Sequence, residues 1–589
     1  MSDKNVAWLP TLVDAKAHFG GMTWDKTLLA FDTETTGLKV RNGADTPRIV
    51  QFSWRPWTHA VVVPVTEEFQ PFIDWMFSIT SEVVGHNTKF DMHAMMTGGY
   101  DLTEYYEPNQ MHDTMWLARF NDERHSAKLK DLGTRYIRND AAGSQADLKK
   151  KMRANGWDWA SVPVEFLVQY GGEDAILTGE LFDFFWPRVS DWGAEAYLRE
   201  QQLSPVLFRM ERKGLHVDQA LLKKTTDEYT LKVENTSARL EEIHPGLNPR
   251  SPQQVKGAFE ARGIVLENTQ KATLQQVHDE LATTLLEYRD AHKTLSTYLN
   301  PWVGLTAPTG RLHPWFSQLG TATGRFSSSD PNLQNITRGH VLRNIFTAAP
   351  GHKMLVADWN QMELRLYAHF ADDQNLLAAF LSDSDVYQQV ADLLDVPRQI
   401  GKMIMLASIY GAGPQTLRRQ SLVMYGNESD ELLNKIKSYD WSDLYDQFHA
   451  QYRIKALSKQ CEDAARKRGM FKGDPYIRTY GGRRQRPKLV LRKQEINGRR
   501  PEITIYKDLA NSLVQGSSAD LMKQALIDVD DAGFGSYLRL TVHDEMVLEV
   551  PEDEVEHVQS VIEHIMTKNQ FMPPLTVGSD YADSYGEAK

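Results

Sequence analysis

Cysteine is almost missing from this chain: Cys461 stands alone among 589 residues. One thiol cannot form an intrachain disulfide, which excludes a disulfide-stapled secreted fold and points to a reducing compartment. No uninterrupted apolar run approaches the roughly 20 residues a membrane span needs. The start, MSDKNVAWLPTLVDAKAHF, lacks the basic opening and apolar core of a signal peptide. Internal repeats and low-complexity tracts are missing too. These absences predict a soluble, cytoplasmic protein with no membrane partner. A net positive charge is also lacking. The balance of −12 argues at first against a nucleic-acid partner, but distribution matters more than the sum. Residues 483–500 carry eight Lys/Arg against one Glu, and Lys149–Arg153 form a smaller basic group. Such runs are ordinarily solvated faces; beside a carboxylate-rich centre, phosphate contact becomes the better reading.

What is there begins with length. A chain of 589 residues, 41% hydrophobic and 24% charged, has the composition of an ordinary globular protein and room for three or four domain-sized units. Its organising stretch is 354–370. Met354, Leu355, Val356 and Ala357 form a short apolar run that fits a buried strand, and Asp358 ends it. From Gln361 onward Met362, Leu366 and Phe370 recur every four positions, which predicts a helix. A carboxylate where a buried strand gives way to a helix needs a partner; a helix cap is the ordinary one and a metal ion the alternative. A second stretch favours the metal. Leu538, Leu540 and Val542 alternate, as do Met546, Leu548 and Val550, around His543-Asp544-Glu545. That pattern predicts a hairpin with an acidic tip. Two buried strands that each deliver one Asp can hold two divalent ions for phosphoryl transfer.

The first 195 residues carry a second set of carboxylates. Asp32 and Glu34 lie two apart at the end of an apolar strand, so both leave one face. They repel unless a cation sits between them. Asn87 and Asp91 lie four apart, as do Tyr170 and Asp174, each pair on one face if helical. Each pair alone is a weak signal, commonly a surface pair. The ordered set is strong.

The two later Asp motifs resemble the palm motifs of family A DNA polymerases, the DNA polymerase I type, and the resemblance extends over nearly all of the chain. The Asp-x-Glu, Asn-x-x-x-Asp, Tyr-x-x-x-Asp series resembles the 3′–5′ proofreading exonucleases. The resemblance implies an α/β and α+β multidomain chain: an RNase H-like exonuclease domain, then a right-hand polymerase domain. Its expected borders are 1–195 for the exonuclease and 196–589 for the polymerase. Within the latter the thumb spans about 196–310, the palm about 311–378 and 505–589, and the fingers about 379–504. Asp32, Glu34, Asp91 and Asp174 are implied to bind two Mg²⁺ or Mn²⁺ ions, with Tyr170 orienting the attacking water. Asp358 and Asp544 are implied to bind two more, with Glu545 and His543 either supporting these ligands from behind or lying on the primer side.

The remaining roles are also implied by the resemblance. Met210–Asp218, Leu247–Val255 and Tyr288–Leu299 resemble thumb segments. Thr321–Ile336, rich in Gly, Ser, Asn and Asp-Pro, reads as an exposed loop. Its Arg325, Asn332, Gln334 and Asn335 can donate to minor-groove acceptors, which checks duplex shape without reading sequence; Arg338 follows as the next basic contact. Arg398, Lys402, Leu406 and Tyr410 fall on one helical stripe, cations first and ring last, which suits a nucleoside triphosphate. The family usually has Phe or Tyr where this chain has Leu406, and often His where it has Tyr387. Gln361, Glu363 and Tyr387 complete the nucleotide set, Glu363 by blocking a ribose 2′-OH. Lys507, Asn511 and Gln515 resemble template-primer contacts, Lys507 standing where Arg is common.

The expected activity is therefore template-directed DNA synthesis from dNTPs on primer-template DNA with proofreading. A helicase, primase or processivity factor is an expected further partner. No 5′-nuclease domain is read before residue 1, and that layout suggests a bacteriophage-like source acting in the host cytoplasm. Glu363 and the attached exonuclease argue against an RNA polymerase or reverse transcriptase. The presence of all six metal carboxylates argues against a non-catalytic scaffold, and Asp358, Asp544, Arg398 and Lys402 argue against a nuclease whose C-terminal half only binds DNA.

Overall fold

The computed structural model describes residues 4–19, 27–106, 110–336, 339, 341–425, 430–493 and 502–588. Six strands form the first sheet: β1 (Asn5–Trp8), β2 (Thr27–Thr35), β3 (Pro47–Trp54), β4 (His59–Pro64), β5 (Thr80–Gly85) and β6 (Met111–Asp113), in the order β1-β4-β3-β2-β5-β6. The sheet is mixed. β3 runs antiparallel to β2 and β4, whereas β5 and β6 join β2 in parallel. Alternation along β2 splits its side chains between two cores. Leu29 and Phe31 pack with Phe77 and Met95 on one face; Leu28 and Ala30 pack with Leu177 and Leu181 on the other. Asp32 and Glu34 continue the second register.

Two helices complete that face. α1 (Thr88–Thr97) follows β5, and α2 (Val164–Lys213) runs for 50 residues. Glycine lets α2 lie close to the sheet. A Cβ at Gly172 would stand 2.4 Å from Val6, and one at Gly179 would stand 2.2 Å from the Trp57 ring. α2 then continues unbroken to Lys213, so the expected border at 195/196 falls within a single helix.

Beyond it, α3 (Gln219–Ile243) and α4 (Glu280–Thr294) share a small separate core built on Leu240, Phe259, Leu281 and Leu285. β7 (Trp315–Ser317) and β8 (Ser327–Ser329) pair antiparallel. The expectation of an exposed loop over 321–336 is corrected here: Phe326, Leu333 and Ile336 are buried anchors, and the three serines 327–329 form a ladder because the backbone supplies its bonds.

β9 (His352–Trp359) leads into α5 (Met362–Ala371), the predicted strand-to-helix passage, although the strand runs one residue past Asp358. α6 (Val386–Leu394) and α7 (Arg398–Ile409) pack tightly, because a Cβ at Gly401 would stand 2.7 Å from the Tyr387 carbonyl. α8 (Leu509–Asp531) precedes the hairpin of β10 (Leu538–Val542) and β11 (Glu545–Pro551), and β12 (Val577–Ala582) closes the chain. These form an antiparallel sheet ordered β10-β11-β9-β12. The hairpin read from the alternation in 538–550 is present, and both of its faces are buried. Polar residues tolerate this because they are paired, as Glu549 is by Arg311 at 2.9 Å and Arg539 at 2.7 Å.

The basic run also departs from expectation. Arg483 is buried against Asp520 at 2.6 Å, and Arg486 ties Glu123 at 2.7 Å to Asp474 at 2.9 Å. Both serve as internal joints rather than phosphate contacts; the side chains of 490–500 lie outside the described residues. Among the described residues no helix is long and apolar enough to cross a membrane.

Candidate active sites

The first centre forms where β2 meets α2. Oxygen atoms of Asp32, Glu34 and Asp174 lie within 4.8 Å of one another. Asp174 reaches them because Gly171 and Gly172 bring that turn of α2 down on the sheet; a Cβ at Gly171 would stand 2.7 Å from the Gln51 side chain. Asp91 is adjacent but turned toward the β2 backbone, its Oδ1 accepting from the Thr33 N–H at 3.0 Å and hydroxyl at 2.7 Å. Asn87 is not helical: it caps α1 in the left-handed conformation, with φ of 66°. Asp113 accepts from the N–H groups of Asn87 at 3.1 Å and Thr88 at 2.9 Å, which fixes the start of α1.

Burial raises all four carboxyl groups, and repulsion from the other members of the set adds to it at Asp32 and Glu34. Asp32 is pushed up by burial, then by Asp91, Glu34 and Asp174; Glu34 by burial, then Asp174 and Asp91. Burial lifts Asp91 to about 7 against the opposing Thr33 bonds. Asp174 is raised by burial, with Lys130 pulling the other way. Crowded, desolvated carboxylates of this kind are the oxygen donor set a hard divalent cation takes. The fit is good.

Four residues that contact this centre escaped the sequence reading. The Lys130 ammonium pairs with Asp174 and lies 5.0 Å from the Tyr170 ring centroid. Gln51 donates to Asp32 at 2.6 Å, Thr33 holds Asp91, and Gln145 donates to the Tyr170 hydroxyl at 3.4 Å. Gln51 carried a signal, since it stands opposite Asp32 in the β2–β3 ladder. Lys130, in a polar stretch, reads as a surface residue.

The second centre is set by strand register. Asp358 pairs with Glu545 across β9 and β11, and the Trp359 N–H donates to the Asp544 carbonyl at 3.2 Å. Val542 also pairs with Glu545, so His543 and Asp544 form the turn itself, His543 with φ of 57°. Asp358 and Asp544 are thus brought side by side. Glu545 is buried and turned elsewhere, accepting from the Tyr585 hydroxyl with Arg343 at 3.6 Å.

The nucleotide set lies along α7. Arg398 and Lys402 are exposed, Leu406 half-buried and Tyr410 exposed, a single stripe as the spacing predicts. Arg398 is drawn back onto Asp385 at 2.6 Å, and that ion pair holds the Asp385 carboxyl below its usual range. Tyr387 is buried with Arg398 5.7 Å and Lys402 5.4 Å from its ring centroid. Glu363, in the first turn of α5, accepts from the Tyr410 hydroxyl and pairs with Arg325. Gln361 is exposed at the left-handed cap of α5.

The DNA set divides. Asn332 and Asn335 are exposed, but Gln334 is buried and donates to the Thr541 carbonyl of β10 at 2.9 Å. Asn511 and Gln515 lie on one half-exposed face of α8. Lys507 ends a strand, Glu502–Lys507, and its side chain lies outside the described residues, as does Arg338 entirely.

Residues 219–587 match the family described as DNA polymerase family A, and residues 17–190 match a family described as 3′-5′ exonuclease. The chain belongs to DNA polymerase family A. It is 30% identical over 638 residues to DNA polymerase I of Pseudomonas aeruginosa, covering 99% of this chain and 65% of that protein. It is 28% identical over 607 residues to DNA polymerase I of Chloroflexus aurantiacus, covering 95% and 61%. A thermostable DNA polymerase I of Thermus filiformis is 32% identical over 437 residues, covering 68% and 50%. This family A chain thus spans between half and two thirds of the length of these relatives. The fold of this family A chain also matches the POL domain of Pol1 from M. smegmatis, solved with DNA primer-template and dNTP. That match has a TM-score of 0.75 at 21% identity and covers 99% of both chains. The relatives named here are bacterial, so the bacteriophage source expected from the layout finds no support among them.

Proposed function

We propose that the chain extends a primer 3′-OH with deoxynucleotides on a DNA template and removes mispaired ends with a separate 3′–5′ exonuclease site. One observation carries this reading: two independent carboxylate centres on one chain, the second beside a solvent-facing cationic helix stripe. The fold shared with a polymerase bound to primer-template and dNTP supports it.

In this reading residues 311–378 and 505–589 are the palm, 379–504 the fingers, 196–310 the thumb and 1–195 the exonuclease. Asp358 and Asp544 would hold two Mg²⁺ ions in the palm; Asp32, Glu34, Asp91 and Asp174 would hold two in the exonuclease, with Mn²⁺ as a substitute. Bound there, the ions supply an activated attacking oxygen and a stabilised leaving group. The chain's own residues do the rest. Arg398 leaves Asp385 and, with Lys402, neutralises the triphosphate; Tyr387 braces both cations from below. Tyr410 packs at the nascent pair, and Gln361 borders it. Glu363, held by Tyr410 and Arg325, fills the space of a 2′-OH. In the exonuclease the Tyr170 hydroxyl, steadied by Gln145, orients the water, and Lys130 keeps Asp174 in place. Arg325, Asn332, Asn335, Asn511 and Gln515 line the duplex, with Gln334 stiffening the loop through β10.

One gel tests the reading. A labelled primer on a template is incubated with Mg²⁺, with and without dNTPs. Extension is expected with dNTPs and shortening without them; neither product would overturn the proposal.

A further inference from the structure

Glu211 lies near the end of α2 with no solvent exposure, outside both carboxylate centres. Its Oε1 pairs with the Lys89 ammonium and accepts from the Phe316 N–H at 2.6 Å, while its Oε2 stands 2.7 Å from His93 Nε2. The Lys89 ammonium also donates to the Phe316 carbonyl at 2.6 Å and sits 4.3 Å from the Trp315 ring centroid. Lys89 and His93 flank Asp91 on α1, two residues before it and two after. Phe316 is the middle residue of β7, whose partner strand β8 is flanked in sequence by Arg325 before it and Asn332 after it. A second tie runs parallel to the first. Arg41, which follows β2, donates to the His313 carbonyl at 3.2 Å and the Asp330 carbonyl at 3.1 Å, just outside the two hairpin strands.

One buried carboxylate therefore joins the helix of an exonuclease ligand to the hairpin that borders the duplex contacts. A fully buried charge holds only while its partners stay. Pulling α1 away would leave Glu211 unpaired inside the protein, and pulling β7 away would strip a buried hydrogen bond from both Glu211 and Lys89, so the two are held in one fixed relation.

We propose that Glu211 is a positioning residue that sets how readily a mispaired duplex end is excised rather than extended. It touches neither substrate nor reacting atoms; it acts by holding α1 against the β7–β8 hairpin. The inference rests on the two activities proposed above.

The test compares wild type, Glu211→Gln and the double variant Glu211→Gln with Lys89→Met. Three rates are measured at saturating Mg²⁺: excision of a single strand, extension of a matched primer, and excision of a 3′-mismatched primer on its template. The single substitution leaves Lys89 buried without its counterion, whereas the double variant leaves no unpaired charge, so it carries the test even if the single variant fails to fold. Single-strand excision and matched extension are expected to stay within about twofold of wild type, while their ratios to mismatch excision shift by about fivefold or more. A merely structural role would lower all three rates in proportion, and that result overturns the proposal, as does an unchanged ratio in an active double variant. A wild type with neither activity would instead defeat the functional reading on which the inference stands.

Discussion

Asp358 stands directly opposite Glu545 across two antiparallel strands, and this register carries Asp544, one residue earlier at the turn, to its side. Neither carboxylate alone can hold two ions in line. Asp358→Ala or Asp544→Ala should therefore lower primer extension by about a thousandfold or more, roughly 4 kcal/mol of barrier. Single-strand degradation by the same proteins should be retained. Near-normal extension in either variant would remove the palm assignment.

The exonuclease centre is built on the other sheet and should fail separately. Asp32→Ala combined with Glu34→Ala removes two of the three converging carboxylates. Primer shortening without dNTPs should vanish, and extension should survive with more mismatches kept in the product. Undiminished shortening would place the nuclease elsewhere.

Glu363 is pinned by the Tyr410 hydroxyl and by Arg325, which would give the proposed sugar-checking side chain a fixed position. Glu363→Ala should raise ribonucleotide use relative to deoxynucleotide by about tenfold or more. Single-nucleotide kcat/KM values for the two sugars decide it, and an unaltered ratio counts against the role.

Leu406 is half-buried on the α7 stripe proposed to meet the nucleotide, where the family usually carries an aromatic ring. In the family a Tyr there admits dideoxynucleotides and a Phe excludes them, which points to the hydroxyl. The wild type should discriminate strongly against dideoxynucleotides, and Leu406→Tyr should relax that by well over about tenfold, more than roughly 1.4 kcal/mol. Leu406→Phe should change the rate but not the ratio. Equal ratios in all three proteins would show that the position has another role.

Glu549 sets an acid limit on stability. Burial alone would raise its carboxyl, but hydrogen bonds from Arg311, Arg539 and the Ala349 N–H outweigh this and hold it at about 2. A carboxyl depressed in the folded state stabilises above its ordinary value of about 4.3, and that contribution is lost as pH falls toward the folded value. Glu549→Gln should cost about 3 kcal/mol or more near neutral pH, because two arginines lose their counterion. The gap from wild type should narrow on acidification. Urea unfolding near pH 7 and near pH 3 measures both; a gap that does not narrow would show that the pairing contributes nothing pH-dependent.

Much of this molecule is local enough to read from the chain. The apolar run 354–357 and the four-residue spacing after Gln361 announce β9 and α5, because strand and helix periods are properties of adjacent residues. The same holds for the hairpin around His543 and for the stripe on α7. The family resemblance followed from such ordered motifs, and the comparisons with known proteins place the chain in that family. Sequence alone did not show that Arg483 and Arg486 in the basic run are buried joints, or that 327–329 is a strand. Each depends on partners hundreds of residues away or on buried neighbours such as Phe326. Lys130 and Glu211 belong to the same class. A lone lysine or glutamate in a polar segment reads as a surface group until folding removes its water, and only then does the location of its counterion decide its role. The sequence by itself therefore determined the periodic elements and the types of residue delivered to each centre. The tertiary structure alone decided which charges meet inside, because burial makes a distant opposite charge obligatory where water no longer screens it.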